Sequence, residues 1–269
     1  MKTLKTLAAL LLTGFLLTSC DVNDSNYETD YTPPAPPTGV VVVNGDSRVD
    51  LYWNENRESD VAGYNIYFSF SYSGKYTLIG SSPYAYYIDD EAVNGETYYY
   101  AVTAYDFNGN ESDLSPDVIY STPRPEGFNQ ALLNFRQYPN NSGYTFTDYS
   151  VVPYDDQSTD FFFGIYNGID SIMVWGDTDI QDMGQTQDIY DIEYAPTSGW
   201  NPSKSEVAIP GHTYVIWTWN NHYAKIRISQ ITTQRVVFDW AYQLVEGENQ
   251  LKPSGTPGVR KPLQKEWNR

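Results

Sequence analysis

Residues 94–104 read Asn94-Gly95-Glu96-Thr97-Tyr98-Tyr99-Tyr100-Ala101-Val102-Thr103-Ala104. Asn-Gly is a turn signal, and the run after it is aromatic and β-branched, the composition of a strand. Side chains alternate between faces with a period of two, so Tyr100, Val102 and Ala104 point inward together. Working outward, similar runs recur at short spacing. Val40–Val43 opens the series. Val49-Asp50-Leu51-Tyr52-Trp53 places Val49, Leu51 and Trp53 on one buried face. Val61–Tyr67, Tyr76–Gly80 and Tyr86–Ile88 follow, and Ser115-Pro116 begins a last strand. Seven short strands separated by turns specify an antiparallel β-sandwich.

With that spacing, residues 38–122 resemble a fibronectin type III (Ig-like) domain, and Tyr98 matches the family's tyrosine corner. The resemblance implies a scaffold rather than an activity. Asp106, Asn108, Asn110 and Glu111 superficially suggest a calcium loop, but in this context they read as hairpin-turn residues.

The chain begins MKTLKTLAALLLTGFLLTSC. Lys2 and Lys5 precede an apolar stretch, Leu7 to Leu17, too short for a stable membrane span. Leu17-Thr18-Ser19-Cys20 resembles the bacterial lipobox. That resemblance implies cleavage of residues 1–19 and a covalent lipid on Cys20, the chain's one cysteine. A lone cysteine forms no internal disulfide, so both folded regions rely on burial. Residues 20–37 are acidic and end in a Pro-rich run, a composition for an extended tether. The expected location is the bacterial cell envelope at the outer membrane, with the periplasmic or surface face open. The lipid membrane is the expected partner.

The formal net charge is −18. Such a chain repels phosphate backbones, which argues against a nucleic-acid partner.

Thr122-Pro123-Arg124-Pro125-Glu126-Gly127 marks a boundary, because prolines at alternate positions break strand pairing. A second β-rich region spans 128–248 and is expected to be a β-sandwich or jelly-roll-like domain. Its strands are read at Phe161–Ile165, Ser171–Trp175, Thr213–Ile228 and Val236–Leu244, with 176–206 as loop. A tight turn at Asn220-Asn221 would set Trp219 opposite His222, Trp217 opposite Ala224 and Val215 opposite Ile226, and put all six on the core face. Residues 249–269 are expected to be a disordered basic tail.

Gly211–Ile216 with His222–Ile228, and Asp239–Gln243, resemble the closing hairpin of HmuY-type haem-binding lipoproteins. That family implies haem held by two histidines. Here His212 and His222 lie seven positions apart along the expected hairpin, roughly 23 Å, too far for one iron. No cofactor is therefore expected beyond the lipid and a possible Ca²⁺ ion. Asp177, Asp179 and Asp182 form the best local carboxylate cluster for that ion. Trp200, in the loop Ser198-Gly199-Trp200-Asn201-Pro202, and Tyr194 are the candidate ligand contacts, because a loop aromatic is harder to explain by packing.

No Gly-x-Ser-x-Gly elbow or HExxH occurs, and the mature domains hold no thiol. The leading expectation is a non-catalytic binding or structural lipoprotein whose partner is a glycan or an envelope protein. The alternative is a carbohydrate-binding component of a polysaccharide-uptake system, and a hydrolase ranks third.

Overall fold

The computed structural model describes residues 30–251, apart from 118 and 167. The expected signal peptide, Cys20, most of the tether and the tail beyond Leu251 lie outside the described residues. Among the described residues no helix is long and apolar enough to cross a membrane.

Two antiparallel β-sandwiches follow one another. The first contains β1 (Val41–Gly45), β2 (Arg48–Tyr52), β3 (Val61–Ser69), β4 (Thr77–Ser82), β5 (Tyr86–Asp89), β6 (Tyr98–Asp106) and β7 (Ile119–Ser121). One sheet has the order β1-β2-β5, the other β4-β3-β6-β7. The expected alternation holds: Val49, Leu51, Tyr100, Val102 and Ala104 are completely buried, and Trp53 nearly so. Tyr98 makes its corner by accepting the Val93 backbone N–H at 2.9 Å. The Asp106 carboxylate accepts the backbone N–H groups of Asn108 and Asn110, so this loop closes upon itself.

The second sandwich contains β8 (Glu126–Leu133), β9 (Gly143–Thr145), β10 (Ser150–Val152), β11 (Phe161–Tyr166), β12 (Ile169–Met173), β13 (Asp179–Gln185), β14 (Ser205–Val207), β15 (His212–Trp217), β16 (Tyr223–Ile231) and β17 (Arg235–Tyr242). The sheet orders are β10-β9-β11-β12-β14 and β13-β15-β16-β17-β8. Phe161, Phe163 and Ile172 from one sheet meet Tyr214, Ile216, Ile226 and Phe238 from the other in a fully buried core.

Two expectations fail here. Residues 179–185 are a strand, not loop. Their sequence, DIQDMGQ, carries Ile180 as a lone buried branched residue, and β15 supplies the pairing that the sequence does not advertise. The β15–β16 hairpin is also one residue out of the expected register. Trp217 pairs with Tyr223, Ile216 with Ala224, and Val215 with Lys225. Asn221 does adopt positive φ, at 64°. The turn, however, is closed by Thr218, whose N–H donates to the His222 carbonyl at 2.9 Å and whose carbonyl accepts the Asn221 N–H at 3.0 Å. The longer loop shifts β16 by one residue and turns all its side chains over. Ala224 and Ile226 therefore reach the core with Tyr214 and Ile216, while Val215 and Trp217 face the other way.

Candidate functional site at the domain junction

The boundary segment is a buried strap rather than an exposed linker. Residues 122–125 are all buried, and β8 starts at once at Glu126. Four backbone groups along the strap find partners in the flanking domains. Asn44 Nδ2 donates to the Thr122 carbonyl at 2.9 Å. The Pro123 carbonyl accepts the Gly95 N–H, the Arg124 N–H reaches the Gly45 carbonyl, and the Pro125 carbonyl accepts the Tyr242 N–H. Proline supplies no N–H, so this stretch offers few donors that could pair into either sheet.

Arg124 is completely buried, and its three guanidinium nitrogens have no hydrogen-bond partner. Burial pulls its pKa down to about 10, against the opposing pull of the Glu126 carboxylate. Burial likewise pushes Glu126 above the usual carboxylate range, while the Tyr190 hydroxyl and Arg124 counteract it. Tyr190 donates to Glu126 Oε1 at 2.8 Å. Glu126 Oε2 and Asn44 Oδ1 are buried without a partner.

Beside this pair opens a cleft of about 440 Å³, lined among others by Asn44, Asp46, Arg48, Glu126, Phe128 and Tyr190. Arg48 is tied to Asp50 by an ion pair of 2.5 Å. Phe128 stands 49% exposed at its edge. None of the cleft's residues reads as part of a site in the sequence, because β1 and β8 are more than eighty positions apart.

The residues singled out from sequence lie elsewhere and do not converge. Trp200 is half-buried, stacks against Tyr223 (centroids 6.4 Å, 19°) and packs at a 40° tilt against Trp217 (5.8 Å). Packing therefore explains it. The register places Trp217 opposite Tyr223 on the outward face of the sheet, and the 186–200 segment folds over that apolar patch. Lys225, fully buried on the same face, pins the segment by donating to the Ile192 carbonyl at 2.9 Å. Tyr194, 43% exposed, pairs instead with Gln250 through a backbone bridge.

The three aspartates are separated by their strand. Asp179 forms an ion pair with Lys204 at 2.7 Å, Asp182 pairs with His212 at 2.9 Å, and Asp177 lies in the exposed loop before β13. Positions 179 and 182 fall on opposite faces of a strand, so the carboxylates cannot share one ion. His212 opens β15, and His222 ends the loop beyond its far end, where its Nδ1 sits 3.0 Å from the Gln243 carbonyl.

One buried carboxyl does titrate unusually. Asp160 is 3% exposed and accepts the Phe146 N–H at 2.7 Å. Burial, with a smaller push from Asp177, raises its pKa to about 6. A carboxyl whose pKa is higher in the folded state contributes stability that is complete below its unfolded value, near 3.8, and is lost as pH rises through about 6. The loss amounts to about 3 kcal/mol. Asp160→Asn keeps an acceptor for Phe146 and removes the charge. Urea midpoints across this window should therefore fall with pH in the wild type and stay flatter in the variant. Equal slopes would show that Asp160 is not the titrating group.

No family model matches the chain. It is 38% identical over 100 residues to an amylopullulanase of Thermoanaerobacterium saccharolyticum, and 43% identical over 88 residues to one of Thermoanaerobacter thermohydrosulfuricus. These stretches are 37% and 32% of this chain but only 8% and 6% of those enzymes, so the chain spans a small fraction of either relative. Among solved structures, an Fn3-like protein from Clostridium thermocellum is 30% identical, with 31% of this chain covering 88% of it at a TM-score of 0.28. Seven strands in two sheets, closed by the Tyr98 corner, are by themselves the arrangement of a fibronectin type III-like sandwich. The first sandwich is a fibronectin type III-like domain. A human fibronectin type III domain is similar to the chain at 19% identity over 36% of this chain and 93% of its own, TM-score 0.32. In this chain the fibronectin-like domain supplies Asn44, Asp46 and Arg48 to the junction cleft, and the second sandwich supplies Glu126, Phe128 and Tyr190.

Proposed function

We propose that this chain is a non-catalytic accessory lipoprotein of the bacterial envelope that engages glycan. The observation that carries the reading is the 38% identity to an amylopullulanase, confined to a segment that is 8% of that enzyme and resembles its fibronectin-like domain. In this reading the acyl chains on Cys20 hold the protein at the outer membrane, each buried CH₂ contributing about 0.8 kcal/mol. The Pro-rich tether lifts the β-sandwiches off the bilayer.

A second reading, a rigid spacer that presents the distal domain, is favoured by the buried strap at 122–125. A joint with no exposed linker transmits orientation, which a flexible one does not.

The test has two arms on the full chain. In cells, Cys20→Ser should release the protein from the membrane fraction and abolish palmitate incorporation. On a glycan array the protein should be retained by at least one neutral glucan and release no reducing ends from it. Sugar release that survives repurification would make the protein an enzyme. Retention by nothing on the array would leave the spacer.

A further inference from the structure

We infer that the outward face of the β1-β2-β5 sheet is an interface with a second copy of this chain. The inference goes beyond the accessory reading above and does not depend on it.

An antiparallel sheet with one face on a core ordinarily turns polar side chains to water on the other. This sheet departs from that rule. The register aligns Val41, Tyr52 and Tyr86 in one outward row, and Val43, Asp50 and Ile88 in the next. Val41, Tyr52, Tyr86 and Ile88 are all exposed. Tyr84, 61% exposed, extends the first row, with its ring stacked on Tyr86 at a centroid distance of 5.8 Å. Scaled from about 150–250 Å² for a whole aromatic side chain, these five exposed residues present roughly 400 Å² in one patch. That equals the largest apolar patch of a typical monomer, and patches of this size mark interaction surfaces.

Shape, charge and area select the occupant. A twisted sheet packs face to face on another of the same twist, with strands about 30° apart, and a second copy offers one identical in twist and size. The chain's formal net charge is −18, so two copies repel over most of their surface. On this face the charges are mixed. Arg48 is paired with Asp50, and Asp90 stands close enough to help raise the Arg48 pKa. A two-fold contact presents the same mixed charges from both sides, so cation and carboxylate can pair across its rim. A strongly cationic partner gains little here, because Asp50, the carboxylate among the apolar rows, is already paired. Two such patches with their charged rims bury about 1,000 Å², the lower limit of a specific interface. The dimer is therefore a weak one, with a Kd of roughly 1–100 µM.

Analytical ultracentrifugation of the full chain, in a non-ionic detergent that keeps any acyl chain soluble, tests this. Across about 1–300 µM, a span that brackets the expected affinity, the weight-average mass should rise from one chain towards two. Tyr52→Glu and Tyr86→Glu each place like charges on both sides of the contact and should weaken association about tenfold or more. Both positions are exposed, so the melting temperature should stay close to that of the wild type. Leu78→Glu is the control. It adds the same charge at an exposed apolar position on β4, in the opposite sheet, and should leave the dimer intact. A single-chain mass at every concentration overturns the second copy as occupant. Association that survives both tyrosine variants lies on another surface or on the N-terminal segment, and overturns the assignment of this face. Equal weakening by Leu78→Glu would show that added charge alone disperses the copies, and overturns it too.

Discussion

Glu126→Ala should destabilise the protein by about 3–5 kcal/mol, the cost of leaving a buried charge uncompensated. Arg124 is wholly buried, its nitrogens have no hydrogen-bond partner, and Glu126 is the carboxylate that offsets its charge. The substitution also strips Tyr190 of its acceptor. Glu126→Gln separates the two contributions. It keeps an acceptor for Tyr190, so what it loses is the charge. Adding Arg124→Met to Glu126→Gln should restore most of the stability, because an unbranched apolar side chain fills the same strap without desolvating an ion. Equilibrium urea unfolding of the four proteins measures each step. A double variant no more stable than Glu126→Gln would mean that the guanidinium is not the source of the penalty. Because the strap's backbone is bonded to both sandwiches, the wild type should unfold in one transition, and Glu126→Ala should begin to separate two.

Phe161→Ala should cost about 3–5 kcal/mol and lower the melting temperature by about 10 °C. Phe161 is completely buried and packs against Tyr144, Phe146 and Phe238 with ring centroids 5.3–5.7 Å apart. The cavity cannot close easily, because its neighbours are rigid rings held by strands of two sheets. Trp219→Ala is the matched control. Trp219 is as bulky but 56% exposed at the hairpin tip, so its loss should stay within about 0.5 kcal/mol. Thermal denaturation followed by circular dichroism distinguishes the two. A small shift in Phe161→Ala would show that the second sandwich repacks its core, contrary to the tight ring cluster described above.

The candidate sites show where sequence reasoning stops. Trp200 looked like an exposed loop aromatic because its partners, Trp217 and Tyr223, become neighbours only through the β15–β16 register. One residue of slip in a five-residue turn decides which face those rings occupy, and nothing local to Trp200 encodes that turn. Asp177, Asp179 and Asp182 looked like a cluster because a carboxylate count ignores strand alternation. Once 179–185 pairs with β15, the same spacing drives Asp179 and Asp182 to opposite faces, towards Lys204 and His212. The strand itself was hidden because edge position asks only for Ile180 to be apolar.

What the sequence determined alone is the all-β class and the first sandwich in detail. Seven alternating runs and the Asn94–Ala104 stretch sufficed, because period-two burial and turn chemistry are local properties. The prolines at 123 and 125 make Thr122–Gly127 read as a boundary, again by local chemistry. Only the tertiary structure decided that this boundary is buried, that the Arg124 guanidinium lies within it without a hydrogen-bond partner, and that Asn44 and Phe128 share a cleft. Those facts depend on β1 and β8 coming together across most of the fibronectin-like domain, and contacts over such separations leave no periodic trace in the chain.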